Sequence, residues 1–251
     1  MVSGMESFAR KFRDYSDCYT VIGGTACAVL MSETDLEFRA TKDIDMVLIM
    51  EARYQEFTKV FWEYIREGGY RCGWKNSGAV RFYRFTEPKA GYPFMIELFS
   101  REPEYITEAP AGIVPLHIDD ETSSLSAILL NDDFYEFMLE GRWTAAGISV
   151  LDAEHLIPFK MYAYLDLKDR KARGEHVNER DLRKHKYDVF RLLQIADRSK
   201  TILTSGIVKK YTERFLREIR EESIPFAQLN LPFDMQEAVN SLTALYKTDQ
   251  A

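Results

Sequence analysis

One short run, Asp43 to Met50 (DIDMVLIM), limits the possible folds more than any other part of the chain. After its two acids every position is apolar, so both alternating faces of an extended strand there must be buried. Such a strand lies inside a sheet covered on both sides. The neighbouring sequence predicts the covering elements. Phe8 to Tyr15 is spaced as a short helix, and Cys18 to Ile22 (CYTVI) reads as a strand that stops at Gly23-Gly24. From Thr25 the run TACAVLM reads as a helix opened by a hydroxyl residue. Tyr54, Phe57, Phe61, Tyr64 and Ile65 form a helical stripe within Glu51 to Gly68, with Gly68-Gly69 as its stop. Further strands are predicted at Ala79 to Phe85 and Pro93 to Phe99, and Pro103 to Ile148 reads as extra strands or hairpins between turn-like clusters. The result is an α/β (α+β) unit on a mixed sheet. From Val150 the character becomes helical, with Asp152 as an N-cap and breaks near Gly174, Gly206 and Pro225 to Pro232. Two domains are therefore expected, 1–150 and 151–251.

Composition excludes several classes. With 46% hydrophobic residues among 251, the chain has ample material for a core and too much for disorder. A net charge of −7 argues against a protein that coats nucleic acid or anionic membrane with its whole surface. The charge is uneven, however. Phe159 to Arg220 holds 17 Lys plus Arg against 9 Asp plus Glu, which leaves the remainder at −15. A basic helical unit of this kind suits a nucleotide, a nucleic-acid end or an acidic partner, or is simply a solvated face. Its tyrosines, at 162, 164, 187 and 211, have spacings that fit core packing at least as well as base stacking. Three cysteines without a C-x-x-C pair, no signal-type apolar region and no apolar run long enough for a bilayer lead us to expect a soluble cytoplasmic protein with no membrane partner.

Chemistry-bearing residues gather in the first part. Asp43 and Asp45 are two apart on a strand, so their carboxylates leave one face about 6 to 7 Å apart, within reach of one or two hard cations. Two like charges at the head of an apolar strand are costly without a cation, the alternative being a solvated turn ahead of it. Gly23-Gly24-Thr25 stands between strand and helix, where bare backbone and a helix N-terminus offer N–H groups to phosphate. On its own a glycine pair is only a tight turn. Together the turn and the acid pair describe a nucleoside-triphosphate site. Glu97, the one charge in PFMIELF, reads either as a third carboxylate of that site or as an ion pair with an arginine such as Arg81 or Arg84. No Walker-type loop, dinucleotide fingerprint or G-x-S-x-G is present, and the four histidines have no zinc-type spacing.

VIGGTACAVL followed by FRATKDIDMVLI resembles the signature of the polymerase-β-type nucleotidyltransferases, in which a glycine turn, an acid-x-acid strand and a later acidic strand residue follow one another. Within that superfamily, FRATKDID and the downstream ISVLDAEHLIPFKMYAYLDL and RDLRKHKYDVFRLL are similar to the AbiEii-like toxins of type IV toxin–antitoxin systems. The resemblance runs from about Thr20 to about Leu193. It implies a nucleotidyltransferase-like fold, phosphate contact at Gly23, Gly24 and Thr25, and Mg²⁺, as two ions, at Asp43, Asp45 and Glu97. It further implies a catalytic, nucleotide-binding Lys160 and nucleotide-side roles for Lys186 and Asp188. Two departures stand out: the gap from Thr25 to Asp43 is wide, and the third acid is Glu where Asp is frequent. From the residues alone, Lys160 is equally a solvated or ion-paired helix lysine.

The implied activity is Mg²⁺-dependent transfer of NMP from an NTP to a hydroxyl of RNA (tRNA) or protein, by the toxin of a pair that has a cognate antitoxin. Two alternatives remain open: a small-molecule, antibiotic-type acceptor, and a non-catalytic nucleotide-binding or interaction protein of the same fold.

Overall fold

The computed structural model describes residues 4–49, 53–77, 80–100, 115–116 and 131–248. It divides into two compact units, Met1–Leu130 with Arg142–Leu151, and Asn131–Gly141 with Asp152–Ala251. In chain order the elements of the first unit are α1 (Met5–Phe12), β1 (Tyr19–Ile22), α2 (Gly23–Ser32), β2 (Asp43–Leu48), α3 (Tyr54–Gly68), β3 (Arg71–Ser77), β4 (Val80–Thr86), β5 (Met95–Ser100) and β6 (Pro115–Leu116). The hairpin β7 (Arg142–Ala145) and β8 (Ile148–Leu151) completes it. The strands form one mixed sheet in the order β6-β3-β4-β5-β2-β1-β8-β7. β2 is parallel to β5 and antiparallel to β1, which is in turn parallel to β8.

β2 is central, as its apolar run requires. Ile44, Met46 and Leu48 are buried, and Ile44 and Met46 align with Ile96 and Leu98 of β5. Period-two alternation puts these with Tyr19 and Val21 on one face of the sheet. There Tyr19 meets Phe8 and Phe57, while Phe61 and Trp62 meet Phe85, so α1 and α3 seal that face with aromatic rings. The opposite face carries Asp43, Asp45 and Glu97.

Three local departures from the sequence expectation have physical causes. α2 begins at Gly23, not Thr25: Ile22 occupies the cap position without a side-chain cap, and Gly23 turns the chain at φ +72. Only glycine takes that conformation cheaply. β3 was not expected, because RCGWKNS has poor strand propensity, yet it pairs along its length with β4. The expectation of strands across Pro103 to Ile148 holds for the β7–β8 hairpin, which turns at Ala146-Gly147 with φ of 49 and 77. Residues 103–114 and 117–130 of that stretch lie outside the described residues. Asp132–Glu140 is instead a helix, α4, capped by the Asn131 side chain, with Phe134, Tyr135, Phe137 and Met138 buried. The cluster Asn-Asp-Asp is a helix start, not a turn between strands.

The second unit consists of α4, α5 (Ala153–Ala172), α6 (Glu179–Ile195), β9 (Ile202–Thr204), α7 (Gly206–Glu218), α8 (Met235–Leu245) and β10 (Tyr246–Thr248). The Asp152 side chain caps α5 by accepting from His155 N–H at 2.8 Å. α4 belongs here and not with residues 1–130. Phe134 packs on Phe159 and Tyr162 of α5, and Asp133 accepts from Ile207 N–H at 2.7 Å at the start of α7. Among the described residues no helix is long and apolar enough to cross a membrane.

Candidate active site

Sheet register assembles the acids. Asp43 and Asp45 lie on one face of β2, and Asp45 is the direct partner of Glu97 on β5 and of Ile22 on β1. Ile22 leads straight into α2, so the helix N-terminus arrives beside Asp45. The approach is close: a Cβ on Gly23 would fall 1.9 Å from Asp45 Oδ2. The missing side chain is the space that the carboxylate fills. Both aspartates are partly exposed, whereas Glu97 is only 5% exposed.

The segment before β2 continues the pattern. Arg39, Thr41, Asp43 and Asp45 are each half-buried, while the intervening Ala40 and Lys42 are exposed and Ile44 is buried. A Cβ on Gly24 would sit 3.1 Å from Thr41 Oγ1 and 3.3 Å from Arg39 Nη2. Arg39 and Thr41 therefore stand at the positive end of α2. Both belong to the FRATKDID run that carries the family resemblance, but neither was given a role from sequence, although their alternation with the two aspartates is the signal that finds them. Both also line a cavity of about 530 Å³ beside α2, whose wall includes Glu6, Ala28, Glu37 and Phe38.

The Thr25 hydroxyl is engaged within the fold. The residue is fully buried, and its Oγ1 donates to the Asp43 carbonyl at 2.5 Å, tying α2 to the start of β2. What it can offer an anion is its backbone N–H, one of the first-turn amides that an α-helix leaves without an internal partner.

Of the two readings of Glu97, the ion pair is present. Arg84 donates to Glu97 Oε1 through Nε at 2.8 Å and Nη2 at 2.7 Å. The side chain of Arg81, the other partner considered, lies outside the described residues. Among the described residues no three His, Cys, Asp or Glu side chains converge as a ready metal cluster. Asp43 and Asp45 nonetheless fit Mg²⁺ as hard oxygen donors, since this ion is usually held by one or two carboxylates together with substrate phosphates. The missing Cβ at Gly23 lets the Asp45 carboxylate lie at the N-terminus of α2, where phosphate would also be held.

Lys160, Lys186 and Asp188 lie in the second unit, on α5 and α6. Lys160 Nζ is 3.5 Å from Asp188 Oδ2, with side chains 2% and 0% exposed, and Arg191 donates to Asp188 at 3.2 Å. Lys186 pairs with Glu222 at 2.9 Å, and Glu222 also accepts from Tyr164 at 2.8 Å. The residues carried over by resemblance thus fall in two charged clusters, Lys160 with Asp188 and Arg191, and Lys186 with Glu222 and Tyr164. At least nine of the 17 basic residues between Phe159 and Arg220 are held in ion pairs, but seven of these use acids of the same segment, and the other two, Lys186 and Lys200, pair with Glu222 and Glu154 outside it. Tyr162 meets Tyr211 with centroids 4.4 Å apart and ring planes tilted by 52°, both side chains being partly exposed.

Burial works against the Glu222 charge, but hydrogen bonds from Lys186 and Tyr164 and the charges of Lys186 and Lys168 outweigh it and lower its pKa from 4.5 to about 2. A depressed carboxyl stabilises the fold above its unfolded pKa and loses that contribution as pH falls towards the folded value. Unfolding followed by tyrosine fluorescence should therefore show stability lost between pH 4.5 and about 2. In Glu222→Gln the loss over that window should be smaller.

Substituting Gly23 tests the cradle. In Gly23→Ala the backbone strain at φ +72 and the collision with Asp45 act together, for an expected cost of about 1–3 kcal/mol. Gly24→Ala meets only side-chain ends at 3.1 and 3.3 Å and should cost much less in a thermal melt. Equal melting temperatures for the two variants would contradict the geometry.

No protein-family model matches the sequence, and no curated protein does. Solved structures similar to it include an antigenic nucleotidyltransferase-like protein from Paracoccidioides brasiliensis, 13% identical over 98% of this chain and 96% of that one, with TM-score 0.47. Another is JHP933 from Helicobacter pylori, 13% identical over 96% and 87%, TM-score 0.40. A third is a putative nucleotidyltransferase from H. pylori, 16% identical over 96% and 89%, TM-score 0.35. At such identities and scores the likenesses decide nothing about chemistry, which has to come from the residues of the site.

Proposed function

We propose that this protein is an Mg²⁺-dependent nucleotidyltransferase that moves NMP from an NTP to a hydroxyl of RNA or protein. The observation that carries the reading is the register that sets Asp43, Asp45 and Glu97 on one sheet face at the N-terminus of α2, with Arg39 beside Gly24. The first-turn amides of α2 and the Arg39 guanidinium bind and orient the phosphate oxygens that will leave. Asp43 and Asp45 hold the cation. When bound, Mg²⁺ neutralises the charge that develops on the phosphoryl group and favours ionisation of the attacking hydroxyl. The acceptor oxygen bonds to the α-phosphorus, the bond to the bridging oxygen breaks, pyrophosphate leaves and the hydroxyl proton passes to solvent.

The similarity of FRATKDID to the AbiEii-like group supports a toxin role with a cognate antitoxin as partner. One observation favours a second acceptor class. The cavity beside α2 has a volume suited to a small molecule, and its wall carries Glu6 and Glu37, which suit a neutral or basic hydroxyl compound. Incubation with each α-labelled NTP, Mg²⁺ and total RNA, followed by separation of RNA from protein, distinguishes the two. Label in either polymer supports the first reading, and label in neither opposes it.

A further inference from the structure

Arg84, Glu97 and Asp45 form a row across three adjacent strands, since Arg84 is the register partner of Glu97 on β4 and Asp45 is its partner on β2. Neighbouring strands lie about 4.8 Å apart, so the two carboxyl-bearing residues are immediate lateral neighbours on one face. Like charges that close repel, and burying one of them to 5% exposure removes the water that would screen it. A positive charge has to stand nearby. Arg84 supplies it, with two nitrogens on the same Glu97 oxygen and a side chain that is itself only 25% exposed.

We propose that Arg84 is a resident counter-charge of the acid row, and that it competes with the divalent cation for the field of Asp45 and Glu97. The inference rests on the reading that Asp43 and Asp45 hold that cation, and it assigns Arg84 as a positioning residue. Two consequences follow from the charges. With Arg84 in place the acid face is already partly neutralised, so a cation alone binds weakly, and the added negative charge of the triphosphate is what makes its binding strong. Without Arg84 the row is over-charged, so the protein is less stable until a cation arrives.

The experiment is Mn²⁺ binding without nucleotide, by electron paramagnetic resonance, to the full chain and to Arg84→Met, Arg84→Gln and Asp45→Asn, with thermal melts in the presence and absence of Mn²⁺. Arg84→Met and Arg84→Gln are expected to bind Mn²⁺ about tenfold more tightly, the effect of deleting one neighbouring positive charge. They should also melt lower without metal and gain more from it than the native protein does. Arg84→Gln keeps a hydrogen-bond donor for Glu97, so it reports on the charge if Arg84→Met fails to fold. Unchanged or weaker Mn²⁺ binding in the folded Arg84 variants, with binding lost in Asp45→Asn, overturns the proposal alone. Binding that Asp45→Asn leaves intact removes the cation from these acids, and both readings fall.

Discussion

Asp188→Asn is expected to destabilise the second unit by about 3–5 kcal/mol, the usual cost of breaking a buried ion pair from one side. The Asp188 side chain is fully buried, with Lys160 Nζ at 3.5 Å and Arg191 Nη1 at 3.2 Å. Replacing the carboxylate by an amide leaves a buried ammonium facing no charge, and removing both charges in Lys160→Met/Asp188→Asn should restore part of the loss. Urea unfolding of the two single variants and the double variant measures the coupling. The result also bears on the expectation that Lys160 is catalytic. A Lys160→Met protein that unfolds like the native chain yet transfers no nucleotide would place the lysine in the chemistry. A protein that unfolds easily would leave it with the network around Asp188.

The second large effect concerns rate. Asp45→Asn keeps the shape of the side chain above Gly23 but removes the charge that would hold the cation. Losing such a group from a preorganised site typically costs about a thousandfold, or about 4 kcal/mol of transition-state stabilisation. Because Asp45 is partly exposed, the melting temperature should move little. Single-turnover transfer from an α-labelled NTP, measured beside a thermal melt, separates the two effects. A rate within tenfold of the native protein would mean that Asp45 is not in the reaction.

The parts of the fold legible in the sequence were those fixed by local periodicity. The unbroken apolar run after Asp45 could only be a central strand, and α3 ends at Gly69 in a left-handed cap as Gly68-Gly69 suggested. What was not legible depends on partners distant in sequence. β3 exists because β4 pairs with it, despite the weak propensity of its residues. α4 was hidden because Asn131, Asp132 and Asp133 suit a turn as well as a helix start, and its burial against α5 decides between them. The acids of the site were visible as types and spacing, and Arg84 was one of two arginines considered for Glu97, but the choice between it and Arg81 follows from strand register, which one sequence does not display. Arg39 and Thr41 fell between these cases. Their alternation with Asp43 and Asp45 is written in FRATKDID, but their position against Gly24 needs the fold.

The central claim is that the acid face of the sheet and the N-terminus of α2 together cleave an NTP between its α- and β-phosphates. Pyrophosphate release tests this most directly, measured for each of the four NTPs with total RNA and protein present, with Mg²⁺ or EDTA, for the native chain and Asp45→Asn. Pyrophosphate is expected from at least one NTP, abolished by EDTA and lowered about a thousandfold in Asp45→Asn. Pyrophosphate formed equally by native and Asp45→Asn protein, or none from any NTP, would contradict it.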